Sequence, residues 1–160
     1  MIIKYIGLIM IALAGIFLSR EYEKNQRKRM LEFSEFSRLV EHIKLKISCF
    51  LAPKSDWLSD FHSESDAVTA FLSLAHKETL FESFAAVADK LSLEDEAEVF
   101  EGLFSALGKS YKEGEIELIE RCENELSERR KTLFPECEKN IKTARVLFAA
   151  ISLGIIILLI

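Results

Sequence analysis

Both ends of this chain are apolar and the stretch between them is not. Residues 1–19, MIIKYIGLIMIALAGIFLS, carry one charge, that of Lys4. Residues 146–160, VLFAAISLGIIILLI, carry none. The segment between is dense in Glu, Lys and Arg. A chain of this pattern is expected to be fixed to a membrane at two points, with one water-facing domain held close to the lipid. Most soluble-enzyme readings are excluded on that ground.

The hydrocarbon core of a bilayer is about 30 Å thick and takes about 20 helical residues to cross. Residues 1–19 meet that length. Residues 146–160 supply about 22 Å of helix at about 1.5 Å per residue, which is short. Thr143 and Ala144 can extend the span while Lys142 and Arg145 snorkel. A cleaved signal peptide is the rival reading for the first segment, with Ala12-Leu13-Ala14 as the processing site. Cleavage there would leave only Tyr5–Ile11 as apolar core and Gly15–Leu18 as a greasy stub, so an uncleaved anchor is expected. The layout is therefore residues 1–19 as a transmembrane helix, 20–144 as a cytoplasmic helical bundle, and 145–160 as a second transmembrane helix.

Orientation follows from Lys and Arg beside the spans. Arg20, Lys24, Arg27, Lys28 and Arg29 follow the first. Arg129, Arg130, Lys131, Lys139, Lys142 and Arg145 precede the second. On the far side stands only Lys4. The net charge of −5 argues against nucleic acid as a partner. The basic stretches at the domain ends fit anionic lipid head groups instead, at roughly 1 kcal/mol per residue near the surface. Cys49, Cys122 and Cys137 have no CxxC spacing and read as reduced thiols.

Strand signals are almost absent and the spacing predicts an all-α chain. Phe33, Phe36, Val40, Ile43, Ile47 and Phe50 recur at steps of three and four. The first span is expected to continue through this stripe as one long helix, ending near Ala52-Pro53. Four short helices follow. The first opens at Pro53 and Ser55 and carries Trp57, Leu58 and Phe61. The second opens at Ser63 with Asp66. The third opens at a capping box, Thr79 with Glu82, and the fourth at Ser92. Gly108 stands where a left-handed C-cap is wanted, and Ser110 with Glu113 reads as a second capping box. The last long helix then runs on into the second span, with Pro135 expected to bend it. Together this is an antiparallel six-helix bundle flanked by two transmembrane helices.

Catalytic constellations are missing. His42, His62 and His76 lack metal spacing, and His42 and Cys49 lie two turns apart. There is no phosphate loop, GxSxG, HExxH or DxDxDG. The run Glu94-Asp95-Glu96 with Glu98 suits a helix start, where acids complement the dipole. No enzyme activity, cofactor or metal is expected. Trp57 could anchor a partner, but a core role is the plainer expectation. In the spans, Gly15 and Ser19 form one small-xxx-small pair and Ala150 and Gly154 another. The two spans are expected to pack through them.

In this order the features resemble a known family, the stage III sporulation protein AB family. The resemblance covers essentially the whole chain. It rests on the N-terminal span with its basic follow-on, Arg20 through Arg29, and on Leu39, His42 and Ile43 before the Pro53 turn. It rests also on Leu107-Gly108-Lys109-Ser110 followed by Lys112-Glu113-Gly114-Glu115, and on the basic-to-apolar tail. The chain departs at Tyr111, where the family usually has Asp, at Glu115 for Gln and at His42 for Glu. The resemblance implies a domain similar to those of type II secretion F proteins, the platform beneath a secretion ATPase. It also implies a place in the complex linking mother cell and forespore. The partners implied are a secretion-type ATPase like stage III sporulation protein AA and other membrane channel subunits. Two rivals stand beside this reading. A generic type II secretion or pilus platform subunit would share the layout without the sporulation role. A small transport component would need polar residues along its spans, and these offer only Lys4, Tyr5 and Ser152.

Overall fold

The computed structural model describes residues 2–49, 52–93 and 95–159, with the side chains of residues 1–6, 8 and 159 also left aside. Phe50 and Glu94, both singled out above, lie outside the described residues, as do most side chains at the start of the first apolar segment. The described residues form five α-helices and no strand: α1 (Ile2–Ser48), α2 (Asp66–Ala75), α3 (Leu80–Ala88), α4 (Asp95–Ala106) and α5 (Lys112–Leu159). The chain divides into two compact units. One comprises residues 29–132, the other residues 1–28 with 133–160.

The expected helix through Trp57, Leu58 and Phe61 is instead a single 3-10 turn, Lys54–Asp56. It opens at Pro53 without a capping side chain. Asp60 then takes a positive φ of 63°, which ends helical propagation before a second turn can form. Three short α-helices, rather than four, therefore stand between the long ones. α2 begins at Asp66 with Ser65 as N-cap. Ser63, expected to open it, accepts a hydrogen bond from the Ser65 amide at 3.0 Å. The Thr79 box forms in full: the Thr79 hydroxyl accepts from the Glu82 amide, and the Glu82 carboxylate accepts from the Thr79 amide. α5 is continuous through Pro135, so that residue does not break it.

The core of the 29–132 unit is a phenylalanine cluster. Phe36 on α1 is fully buried and meets Phe71 of α2 at 5.7 Å, Phe84 of α3 at 5.3 Å and Phe100 of α4 at 5.2 Å between ring centroids. Most of these contacts are edge-on or tilted, the arrangement that ring quadrupoles favour. Phe33, Leu39, Val40, Ile43 and Ile47 complete the buried stripe of α1. α5 contributes Ile119, Cys122 and Leu126. Trp57 is buried too, its indole N–H donating to the Ala52 carbonyl at 3.1 Å, so it serves the core. Lys44 of α1 reaches Glu123 at 2.6 Å and Lys112 reaches the Ser48 carbonyl at 3.1 Å. Numbers rising along α1 meet numbers falling along α5, so the two helices run antiparallel in this unit.

A row of polar side chains flanks the apolar stripe of α1 and fastens the connecting segments. The Arg29 guanidinium forks onto Glu96 at the start of α4, with both carboxylate oxygens 2.9 Å from Nη2. Glu32 accepts from the Ser92 amide at 2.6 Å, and Glu35 from the Glu64 amide at 3.2 Å. His42 Nε2 lies 2.9 Å from the Ser59 carbonyl oxygen, and Lys46 holds Ser59 Oγ and Asp60. Buried amides need such acceptors, because an unmet one costs about 1–3 kcal/mol.

Candidate functional site

The unit of residues 1–28 and 133–160 is a pair of helical segments, and its contacts run from small residues to charged ones. The two approach closely at Gly15. A Cβ there would fall on the Ser152 hydroxyl and lie 3.4 Å from the Phe148 carbonyl oxygen. Toward the basic end, Glu23 accepts from Arg145 at 2.6 Å and from Arg27 at 2.9 Å. Residue 15 meets 152 and 23 meets 145, so the segments are antiparallel here. Leu133, Cys137, Ile141 and Ala144 bury the remainder of the α5 face at steps of four, four and three. Hydrogen bonds from Arg145 and then Arg27 hold the Glu23 carboxyl below the usual carboxylate range. Glu23 therefore stays ionised and the bridge persists at neutral pH.

The expected packing residues divide. Gly15 packs and Ser19 lines the space beside it. Ala150 and Gly154 do not take part. Both are exposed, and nothing lies within 4 Å of a Cβ at Gly154. The reason is rotational. On α5, Phe148, Ser152 and Ile156 recur at steps of four and face α1, which turns residues 150 and 154 about 160–200° away at about 100° per residue. The α5 contribution to the close approach is thus Ser152, which sequence reading treated only as a polar residue in a span. No spacing rule separates the two faces of so uniformly apolar a segment.

The turn before α5 also differs from expectation. Gly108 has a φ of +84°, in the left-handed region. α5 begins at Lys112, two residues after Ser110, and the carboxylate that caps the turn is not that of Glu113. Glu115, 3% exposed, accepts from the Gly108 amide at 2.9 Å and the Ser110 amide at 2.7 Å. Glu113 is exposed. A box would satisfy one amide at Ser110, whereas Glu115, two residues further in, satisfies two. Lys54 donates to the Gly108 carbonyl from the other side.

Several charges counted above as facing lipid or water are internal. Arg29 is committed to Glu96, and Glu96 is buried. The free thiols split as well. Cys49 is exposed, while burial first, then Glu125 and Glu123, push the Cys122 thiol up to about 12. Among the described residues no group of three His, Cys, Asp or Glu could hold a metal ion. α5 is the one described helix long and apolar enough to cross a membrane, and only 11% of its most apolar window is buried. A core helix of a soluble protein would bury most of that window.

A family model for stage III sporulation protein AB matches residues 4–160. No curated protein matches the chain, and no solved structure does. The chain belongs to the stage III sporulation protein AB family.

Proposed function

We propose that this chain is a non-enzymatic platform subunit of the sporulation complex between mother cell and forespore. It couples a cytosolic secretion-type ATPase, like stage III sporulation protein AA, to channel subunits in the membrane. In this reading residues 1–19 and 145–160 both cross the bilayer. The central domain is cytoplasmic, similar in role to a type II secretion F domain, and Arg20, Lys24, Lys139 and Lys142 rest on anionic head groups. The observation that carries the reading is the unbroken course of α5. It joins Ile119, Cys122 and Leu126, which are core residues, to the apolar stretch that starts at Val146. The core residues of α5 and its apolar stretch are thus parts of one helix, with no loop between them.

Two measurements test this. A reporter active only outside the cytoplasm stays silent when fused at residue 90 and is active when fused after Ile160. The ATPase co-purifies with the full chain from sporulating cells. A strong signal from the residue-90 fusion removes the cytoplasmic placement and the ATPase coupling together.

A further inference from the structure

The paired segments leave a slot of about 460 Å³ between them. Its walls change character along its length. At one end are Ala12, Ile16, Leu153 and Ile156; at the other are Arg20, Glu23 and Arg145. Ala12 and Glu23 are separated by about 16 Å of helix, close to half of the roughly 30 Å hydrocarbon core. The slot therefore passes from fully apolar to charged over the depth of one leaflet.

The charged end is set up for an anion. Glu23 is the acid in the lining, and it is already bridged by Arg27 and Arg145. Arg145 uses Nε and Nη2 on Glu23, and a guanidinium has five N–H donors, so its Nη1 side is open to another acceptor. Arg20 lines the mouth and, among the described residues, has no ion-pair partner. Two guanidiniums beside an open apolar groove match a phosphate carrying a hydrocarbon chain. A free phosphate would leave the apolar length empty.

We propose that this slot binds one anionic phospholipid of the leaflet facing the domain. Its phosphate lies on Arg20 and Arg145, and one acyl chain runs along Ile16, Phe148 and Ile156. The proposal rests on the two-anchor reading given above and adds to it a defined lipid site in place of a diffuse attraction to the surface.

The test uses the full chain in mild detergent, stripped of lipid and titrated with phosphatidylglycerol or phosphatidylcholine under native mass spectrometry. One phosphatidylglycerol per chain is retained, and phosphatidylcholine binds about five- to ten-fold more weakly. Arg20→Gln weakens phosphatidylglycerol binding by a similar about five- to ten-fold, and Glu23–Arg145 is untouched by that change. Ala12→Phe fills the apolar end and lowers retention of both lipids. Equal binding of the two lipids, or unchanged binding by Arg20→Gln, overturns the site. A photo-crosslinker at residue 12 gives a lipid adduct; a protein adduct overturns the site in favour of a partner's helix. Alkaline extraction of membranes reads the anchors separately. A chain released by alkali defeats the two-anchor reading, whereas a chain retained without selective lipid binding defeats only the slot.

Discussion

Glu115 makes the strongest claim on stability of any single side chain near the 108–110 turn. Glu115→Ala strands the amides of Gly108 and Ser110 and is expected to cost about 1–3 kcal/mol. Ser110→Ala removes a side chain that is exposed and is expected to stay within about 0.5 kcal/mol. Urea melts of residues 22–142 compare the two, and a larger loss from Ser110→Ala would show that the hydroxyl caps α5 after all. Glu35 supplies the pH dependence. Burial pushes its carboxyl up, but hydrogen bonds from Ser63, Arg38 and the Glu64 amide outweigh that and hold it below the usual carboxylate range. A depressed carboxyl contributes stability that is complete above the unfolded value of about 4.3 and is lost as pH falls through the folded one. Glu35→Gln is therefore expected to lower stability at pH 7 and to flatten its decline below about pH 4. Parallel acid limbs in variant and parent would mean that Glu35 is not the group responsible.

Among the elements, the helix pair turns on one glycine and not the other. Gly15→Leu drives a side chain into Ser152 and the Phe148 carbonyl and is expected to cost roughly 1–3 kcal/mol. Gly154→Leu meets open space and is expected to leave the pair intact. Thermal unfolding of the full chain in mild detergent, followed by helical content, separates the two. A loss from Gly154→Leu as large as that from Gly15→Leu would mean that the outer face of α5 is itself packed against something. α1 makes a related point about elements. Its apolar stripe was legible from the sequence, because steps of three and four place Phe33, Phe36, Val40, Ile43 and Ile47 on one side. The polar row beside that stripe was not legible. Arg29, Glu32 and Glu35 look like any solvated helical face until the loops they hold are seen.

For the whole molecule, the division into two compact units predicts separable losses. Deleting residues 146–160 removes about half of the α5 segment of the pair and none of the phenylalanine cluster. The 29–132 unit is expected to keep its helical content, while recovery of the ATPase and channel subunits proposed as partners falls. Unchanged partner recovery and sporulation would retire the two-point platform in favour of anchorage by α1 alone.

The sequence by itself determined the all-α class, the two long helices, the Thr79 capping box, and the order of features that marks the family. Each depends on residues within about four positions of one another, or on bulk polarity, and both can be read along a line. Only the tertiary structure decided which charges are internal and which small residues touch. The Glu32–Ser92, Arg29–Glu96 and Glu23–Arg145 contacts join residues 60, 67 and 122 positions apart. Their formation depends on the register of one helix against another, which a repeating apolar pattern leaves open to rotation. The same freedom hid the contact made by Ser152 and left unread that Gly154 faces away from Gly15.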